Sequence, residues 1–405
     1  MRKTAVVLSL ALAQAALLPA QDPAVQAIIE AVRIDSVMAC LEKLTGEVPV
    51  DIGNGPETIT SRHQWQPGNV LAQRWLAMEL ERMGYEPVLD TFSTTGINVL
   101  AARTGTVHPE QAVVFCAHYD SAPAAPLGAP GADDNGSGCG AVWEAARLFQ
   151  GIDFEHTVLF AFWDNEEQGL LGSKHYAQNA AGNDVPLRGV VNMDAIAYDG
   201  NADTKARIHT RPIANSHELS DTLFAVRAHY GIDLDLILTD PGAAYSDHAS
   251  FWNNGYGAIL VIEEFGADGN PYYHTPNDRI EHFDVPYYEK MIKLSIATAA
   301  TLAVPVAGQS VQGPVAAAVP ALEVRPNPAM EAASVRFAPV APGRYRLEMF
   351  NALGVAVGVV HDGPLAAGPH RFELPLAGRP AGAYFVRAMG DAMTPITVRM
   401  VRAAP

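Results

Sequence analysis

Two histidines and several carboxylates stand in short polar motifs that directly follow apolar runs of strand length. Ala112–Ala117 leads into His118-Tyr119-Asp120-Ser121, Thr157–Trp163 into Asp164-Asn165-Glu166-Glu167, and Gly189–Met193 into Asp194. Between the first two lies Gly131-Ala132-Asp133-Asp134-Asn135-Gly136-Ser137-Gly138, and further on comes Tyr272-Tyr273-His274-Thr275-Pro276-Asn277-Asp278. Singly, each motif has an ordinary use. Asp134 is a fair helix cap, Glu166-Glu167 a solvated loop, and His274 a surface histidine. Together they are an imidazole and carboxylate set without cysteine, the donor chemistry of zinc held by nitrogen and oxygen. Facing carboxylates repel one another, and a bound cation removes that repulsion.

The elements that must position these groups alternate. Strand signals at Ile97–Ala102, Ala112–Ala117, Thr157–Trp163, Gly189–Met193, Arg207–His209 and Ala258–Ile262 are interleaved with helical patterns. Those patterns are Gly138–Gln150, Leu170–Gln178, His217–His229, Asp247–Asn253 and Tyr287–Leu302. Near-continuous apolar strands such as Val158-Leu159-Phe160-Ala161-Phe162 suit a sheet covered on both faces. The alternation predicts a three-layer α/β/α sandwich with a mostly parallel central sheet. Ligands of such sheets bind beyond the carboxyl ends of the strands, where the polar motifs fall.

At this level of detail the chain resembles the di-zinc aminopeptidases that include bacterial leucyl aminopeptidase and aminopeptidase S. Glutaminyl cyclases and glutamate carboxypeptidases share that superfamily. The resemblance rests on HYDS at His118, PGADDNGSG from Pro130, NEEQGLLGS from Asn165, NMD at Asn192, SDHASF from Ser246 and YHTPND from Tyr273, in order over about 200 residues. It implies two zinc ions per catalytic domain. Asp134 would bridge them, His118 and Asp194 would complete one, and Glu167 with His274 the other. Asp133 would be a ligand only if that pairing is off by one.

By the same resemblance Glu166 matches the general base, Asp120 the acid that fixes the His118 tautomer, and Tyr273 an oxyanion-stabilising tyrosine. Tyr245, Leu260 and Ile262 resemble residues of a specificity pocket and would form an apolar wall, favouring apolar N-terminal residues of peptides. Asp247-His248 resembles a motif that orders the site edge and is given no ligand role. The expected activity is removal of N-terminal residues by a metal-activated water. A glutaminyl cyclase and a non-catalytic binding module on the same scaffold are the alternatives. Cys40, Cys116 and Cys139 read as buried thiols.

Charge and composition bound the rest of the chain. Twenty-seven Lys and Arg against 44 Asp and Glu in 405 residues argue against a nucleic-acid partner, which would need a basic face. The first 20 residues read as a signal peptide: Arg2-Lys3, then an apolar run of about 14 residues, shorter than the roughly 20 needed to span a bilayer. No other stretch is long and apolar enough, so export of a protein without a membrane span is expected. Residues 21–302 read as the catalytic domain, with 21–95 a largely helical part packed on it, and 303–322 as an uncharged linker.

Residues 323–405 hold short alternating segments that predict a small all-β sandwich. Their balance is +3, from nine Arg and six Asp/Glu, whereas residues 21–322 carry 16 Lys/Arg against 38 Asp/Glu, a balance of −22. The segments RPNP at Arg325, NALG at Asn351 and AGAY at Ala381 resemble the C-terminal sorting domain of the type IX secretion system. That implies the secretion machinery as a partner and a secreted or cell-surface location.

Overall fold

The computed structural model describes residues 21–53, 55–122, 128–266, 268–307, 321–325, 327–330, 332–339, 342–352, 354–366, 368, 370–374, 376, 378–390 and 393–403. The leader expected over residues 1–20 and residues 308–320 of the expected linker lie outside them. The chain divides into two compact units, Met1–Pro314 and Val315–Pro405. None of the helices among the described residues is long and apolar enough to cross a membrane.

The larger unit opens with α1 (Pro23–Ala31), α2 (Ile34–Leu44), the short pair β1 (Val50–Asp51) and β2 (Pro56–Glu57), and α3 (Pro67–Arg82). There follow β3 (Val88–Thr91), β4 (Ile97–Arg103), β5 (His108–His118), α4 (Gly138–Phe149), β6 (His156–Trp163), α5 (Leu171–Gly182) and β7 (Leu187–Met193). The unit continues through β8 (Lys205–His209), α6 (Ser216–His229), β9 (Asp235–Thr239), α7 (His248–Trp252), β10 (Ala258–Glu263) and α8 (Val285–Ala303). Eight strands form one sheet in the order β3-β4-β6-β5-β7-β10-β8-β9. Strands β6, β5, β7 and β10 run parallel to their neighbours in that central stretch, as do β8 and β9. The fold class expected from the alternating pattern is therefore the one observed. From β5 the chain moves outward to β6 on one side and then crosses to β7 on the other. The three strand ends that bear the polar motifs are adjacent for that reason.

Period-two alternation assigns the strand side chains to two cores. Val113, Phe115, Ala117, Val158, Phe160 and Phe162 point to the face covered by α4 and α8. Val114, Cys116, Ala161 and Trp163 point to the other, where Phe251 and Trp252 of α7 and Ala177 of α5 meet them. Both faces are dry, which explains the lack of polar alternation in these strands.

Three local expectations change. The first helical stretch of the largely helical part expected over 21–95 is broken at Val32-Arg33, where the Arg33 amide donates to the buried Glu144 carboxylate at 2.8 Å instead of continuing the turn. The linker expected from Ala303 begins later: α8 includes Ala303, and the Val306 amide donates to Asp153 O at 2.9 Å. At its other end, β11 (Ala321–Arg325) begins inside the same expected linker.

That strand opens the second unit, followed by β12 (Ser334–Ala338), β13 (Gly343–Asn351), β14 (Ala356–Leu365), β15 (His370–Glu373), β16 (Gly382–Gly390) and β17 (Met393–Arg402). They form antiparallel sheets β11-β12-β15 and β14-β13-β16-β17. Val335 and Phe337 from the first and Leu347, Met349, Val386 and Met400 from the second share one buried core.

Arg62, just before α3, ties the N-terminal segment to the rest of its unit. It is fully buried, and its guanidinium donates to Leu44 O, Tyr119 O, Pro130 O and Gly131 O. The planar fork thus fastens the end of α2 to the chain after β5 and to the loop before α4. Replacing Arg62 with Met should strand the buried carbonyls of Leu44, Tyr119 and Pro130, Gly131 O keeping the Gly136 amide, and cost about 3–5 kcal/mol, the scale for breaking a buried charged network. Urea denaturation followed by tryptophan fluorescence checks this, since Trp65, Trp75, Trp143, Trp163 and Trp252 all lie in the larger unit. An unchanged midpoint would show that the carbonyls find other partners.

Candidate metal centre

The site stands at the carboxyl ends of β5, β6 and β7. His118 is the last residue of β5, and Asp120 follows two residues later. Asp134 sits in the wide turn Ala132–Ser137 that runs into α4, where the Asp134–Asn135 peptide is cis. Glu166 and Glu167 occupy a tight turn after β6 that requires left-handed backbone at Asn165 (φ 58°), Gly169 (φ 106°) and Leu170 (φ 63°). Asp194 follows β7, and His274 (φ 56°) comes from the long connection between β10 and α8.

Small residues are needed where the Asp134 turn meets the sheet. A side chain at Gly138 would place a Cβ 2.9 Å from Met193 O and 2.8 Å from Ala117 Cβ. At Gly131 the backbone is left-handed (φ 52°), and a Cβ would lie 2.5 Å from Asp134 O. Asn135 locks the same turn, donating to Met193 O at 2.8 Å while accepting from the Gly138 amide at 3.0 Å.

The two oxygens of Asp134 face two histidines. Its Oδ1 is 3.2 Å from His118 Nε2, and its Oδ2 is 2.9 Å from His274 Nε2. His118 Nε2 is also 3.5 Å from Asp194 Oδ1 and 3.9 Å from Glu166 Oε2, while His274 Nε2 is 3.0 Å from Glu167 Oε2. All six expected residues are thus brought together, in the groups His118, Glu166, Asp194 and Asp134, Glu167, His274. Five are buried or nearly so, and the His274 side chain alone is 41% exposed.

This donor set fits cations better than it fits itself. His118 Nε2 is ringed by three carboxylate oxygens without a directed hydrogen bond to any, and the buried Glu167 Oε1 has no hydrogen-bond partner among the described residues. The electrostatics carry the same message. Burial, with Asp134 alongside, pushes Glu167 up to about 7. Burial also lifts Glu166 well above the carboxylate range against the pull of His118, with Asp194, Asp247 and Glu167 adding to the rise. For His274, burial is outweighed by Asp134 and Glu167, which hold it at about 10. His118 is raised likewise by Glu166, Asp194, Asp120 and Asp134. Protons occupy places that metal ions would take.

His118 Nδ1 is hydrogen-bonded to the Asp120 main-chain O at 3.2 Å and lies 3.4 Å from the Asp120 carboxylate, whose two oxygens accept from the Glu166 amide at 3.0 Å and the Glu167 amide at 3.3 Å. Asp120 therefore positions the imidazole chiefly through its carbonyl and the turn bearing the Glu pair through its carboxylate. Asp133 points elsewhere: it accepts from the Ala197 amide and from Asn270 Nδ2, so Asp134 is the member of the pair placed between the histidines. Asp247 and His248 are fully buried, and neither falls in the two groups. All three cysteines are buried and free.

A cleft of about 390 Å³ opens onto the site, lined by Glu166, Glu167, Gly169, Leu170, Lys174, Ala244, Tyr245, Tyr273 and His274. Tyr273 stacks on the His274 ring with centroids 3.9 Å apart. Tyr245 is half exposed, its hydroxyl 3.2 Å from His209 Nε2. Leu260 and Ile262 are buried in β10 and do not line this cleft, so the apolar wall expected from them is represented here by Leu170 and Ala244. Sequence reasoning left Asp278 without a role. It accepts from the Asp133 and Asp134 amides at 2.9 and 3.0 Å, and only its place in the YHTPND motif could have pointed to it.

A probable leucine aminopeptidase of Trichophyton verrucosum is 30% identical over 208 residues, covering 49% of this chain and 55% of the relative. The chain thus spans about half the length of such curated relatives. Among solved structures, the LapA aminopeptidase of Legionella pneumophila aligns with a TM-score of 0.58 at 25% identity, over 69% of this chain and 74% of that one. A glutaminyl cyclase of Bacteroides thetaiotaomicron shares the fold, with a TM-score of 0.50 at 18% identity over 66% of this chain and 97% of that one. The sequence profile of Peptidase family M28 matches residues 98–299, the stretch that supplies all six residues of the centre, and this stretch is a member of that family.

Proposed function

We propose that the protein is a zinc-dependent aminopeptidase that removes N-terminal residues from peptides, with two zinc ions in the centre. The observation that carries this reading is the Asp134 carboxylate, one oxygen toward His118 and the other toward His274. His118, Asp134 and Asp194 would hold one ion, and Asp134, Glu167 and His274 the other. When bound, the ions supply Lewis-acid polarisation of the scissile carbonyl and of the attacking water. Glu166 takes the proton from that water and returns it to the leaving amine. Asp120 keeps the His118 Nε2 lone pair directed inward while fixing the Glu166 amide. The Tyr273 hydroxyl, at the cleft wall, donates to the developing oxyanion.

Division of labour between neighbouring acids gives a direct test. Glu166→Gln should keep its zinc content and lose at least about a hundredfold in kcat, the scale for losing a general base. Asp134→Asn should lose zinc. Elemental analysis beside kinetics with leucine p-nitroanilide separates the two, and equal zinc loss in both variants would contradict the assignment. A glutaminyl-peptide substrate in the same assays shows whether the centre cyclises rather than hydrolyses.

Metal binding should release protons. In the metal-free protein Glu167 is half protonated near pH 7 and His274 is protonated up to about pH 10, and both must give up their protons to act as ligands. Affinity for zinc should therefore rise with pH from 6 to 8, and chelation should abolish an activity that zinc restores. Titration calorimetry in two buffers of different ionisation enthalpy should show release of about one proton or more per ion. No buffer dependence, or full activity after complete metal removal, contradicts the reading.

We also infer export through the leader at 1–20 and sorting through the C-terminal unit. The charge reversal from −22 to +3 and the RPNP, NALG and AGAY segments support a separate task for that unit. Deleting residues 323–405 should leave an active peptidase that accumulates in the periplasm of the native host. Normal secretion with weakened activity on long peptides would instead make the unit an accessory substrate-binding domain.

A further inference from the structure

The cleft described above holds a feature that the proposed hydrolytic chemistry does not use. Lys174, in the first turn of α5, is the only lysine or arginine among its described lining residues. It forms no ion pair among the described residues. Its ammonium donates to Gly169 O at 2.6 Å, which uses one of its three donors and leaves two free of partners among the described residues. Gly169 belongs to the turn that bears Glu166 and Glu167, so the ammonium is tethered to the turn that carries the base. The turn itself does not depend on that bond. The Gly169 and Leu170 amides both donate to Glu166 O at 2.8 Å, Leu171 to Asn165 O at 3.0 Å, and Gly172 to Asp164 O at 3.0 Å.

On the peptidase reading above, we propose that Lys174 receives a carboxylate of the substrate. Residues 21–322, with a balance of −22, repel anionic peptides, and the other titratable lining residues are Glu166, Glu167, His274 and two tyrosines. Against that background the one ammonium of the lining gives an anionic group one defined place to sit. Two substrate groups have this chemistry: the side chain of an N-terminal Asp or Glu, and the C-terminal carboxylate of a di- or tripeptide. Lys174 thereby selects short or acidic substrates by a charge-assisted hydrogen bond.

The test compares kcat/KM within two substrate pairs, Leu-Gly against Leu-Gly-amide and glutamyl against leucyl p-nitroanilide, for the wild type, Lys174→Gln and Lys174→Arg. In Lys174→Gln, one ratio of carboxylate to neutral substrate should fall about tenfold, chiefly through KM, consistent with loss of one hydrogen bond to a charged group. Lys174→Arg should restore it. The pair whose ratio falls identifies which carboxylate is bound. Parallel loss on all four substrates would make Lys174 a clamp for the Glu166 turn and overturn the inference, as would unchanged ratios in both pairs. A wild type that carries bound zinc yet hydrolyses none of the four would refute the peptidase reading instead, and the inference would fall with it.

Discussion

Burying many like charges in one place is the constraint around which the larger unit is built. Asp120, Asp134, Glu166 and Asp194 are all nearly inaccessible and crowd two imidazoles at the end of a dry sheet. A second tier lies behind them. Asp278 accepts from the amides of Asp133 and Asp134, Asp133 from that of Ala197, and Glu263 from that of Tyr198. Asp164 does the same for Ile97 and Asn165. Carboxylates that coordinate nothing thus hold, through backbone amides, the loops that carry the ones able to coordinate. Amide donors soften the burial of a negative charge without adding a competing positive side chain to the centre.

The sheet supplies what loops alone could not. Parallel neighbours β6, β5 and β7 end at the same level, so groups from three distant stretches of sequence arrive within one another's reach. The N-terminal helices add rigidity from outside. Arg62 joins them to Tyr119, Pro130 and Gly131, which flank His118 and the Asp134 turn in sequence. A buried guanidinium satisfied entirely by carbonyls is an unusual choice, and here it binds three segments at once.

Much of this was legible in the sequence, because it is written in local signals. Unbroken apolar runs marked the central strands, and the motif order marked the six residues of the centre. What was not legible depends on partners far apart in the chain. The helix break at Val32-Arg33 follows from Glu144, more than a hundred residues away, and nothing local announces it. The edge strands Val88–Thr91 and Asp235–Thr239 were missed because their apolar runs, Val88-Leu89 and Leu236-Ile237-Leu238, are shorter than those of the central strands. Periodicity does not separate Asp133 from Asp134; the resemblance chose Asp134, and the backbone supplies the reason, turning Asp133 to the Ala197 amide and Asn270. Leu260 and Ile262 carried the right character for a pocket wall, but burial within β10 removes them from the cleft.

The double acceptance by Asp120 has a consequence for how this centre tolerates change. Because Asp120 holds His118 Nδ1 through its main-chain O and receives the amides of Glu166 and Glu167 on its carboxylate, the end of β5 and the turn after β6 share one mechanical joint. Alterations on the two sides cannot be independent. A substitution that shifts the β6 turn reaches the imidazole through Asp120, and one that tilts the imidazole reaches the base. Epistasis across this joint is built into the geometry, so paired changes at its two sides should depart from additivity even where the residues altered never touch.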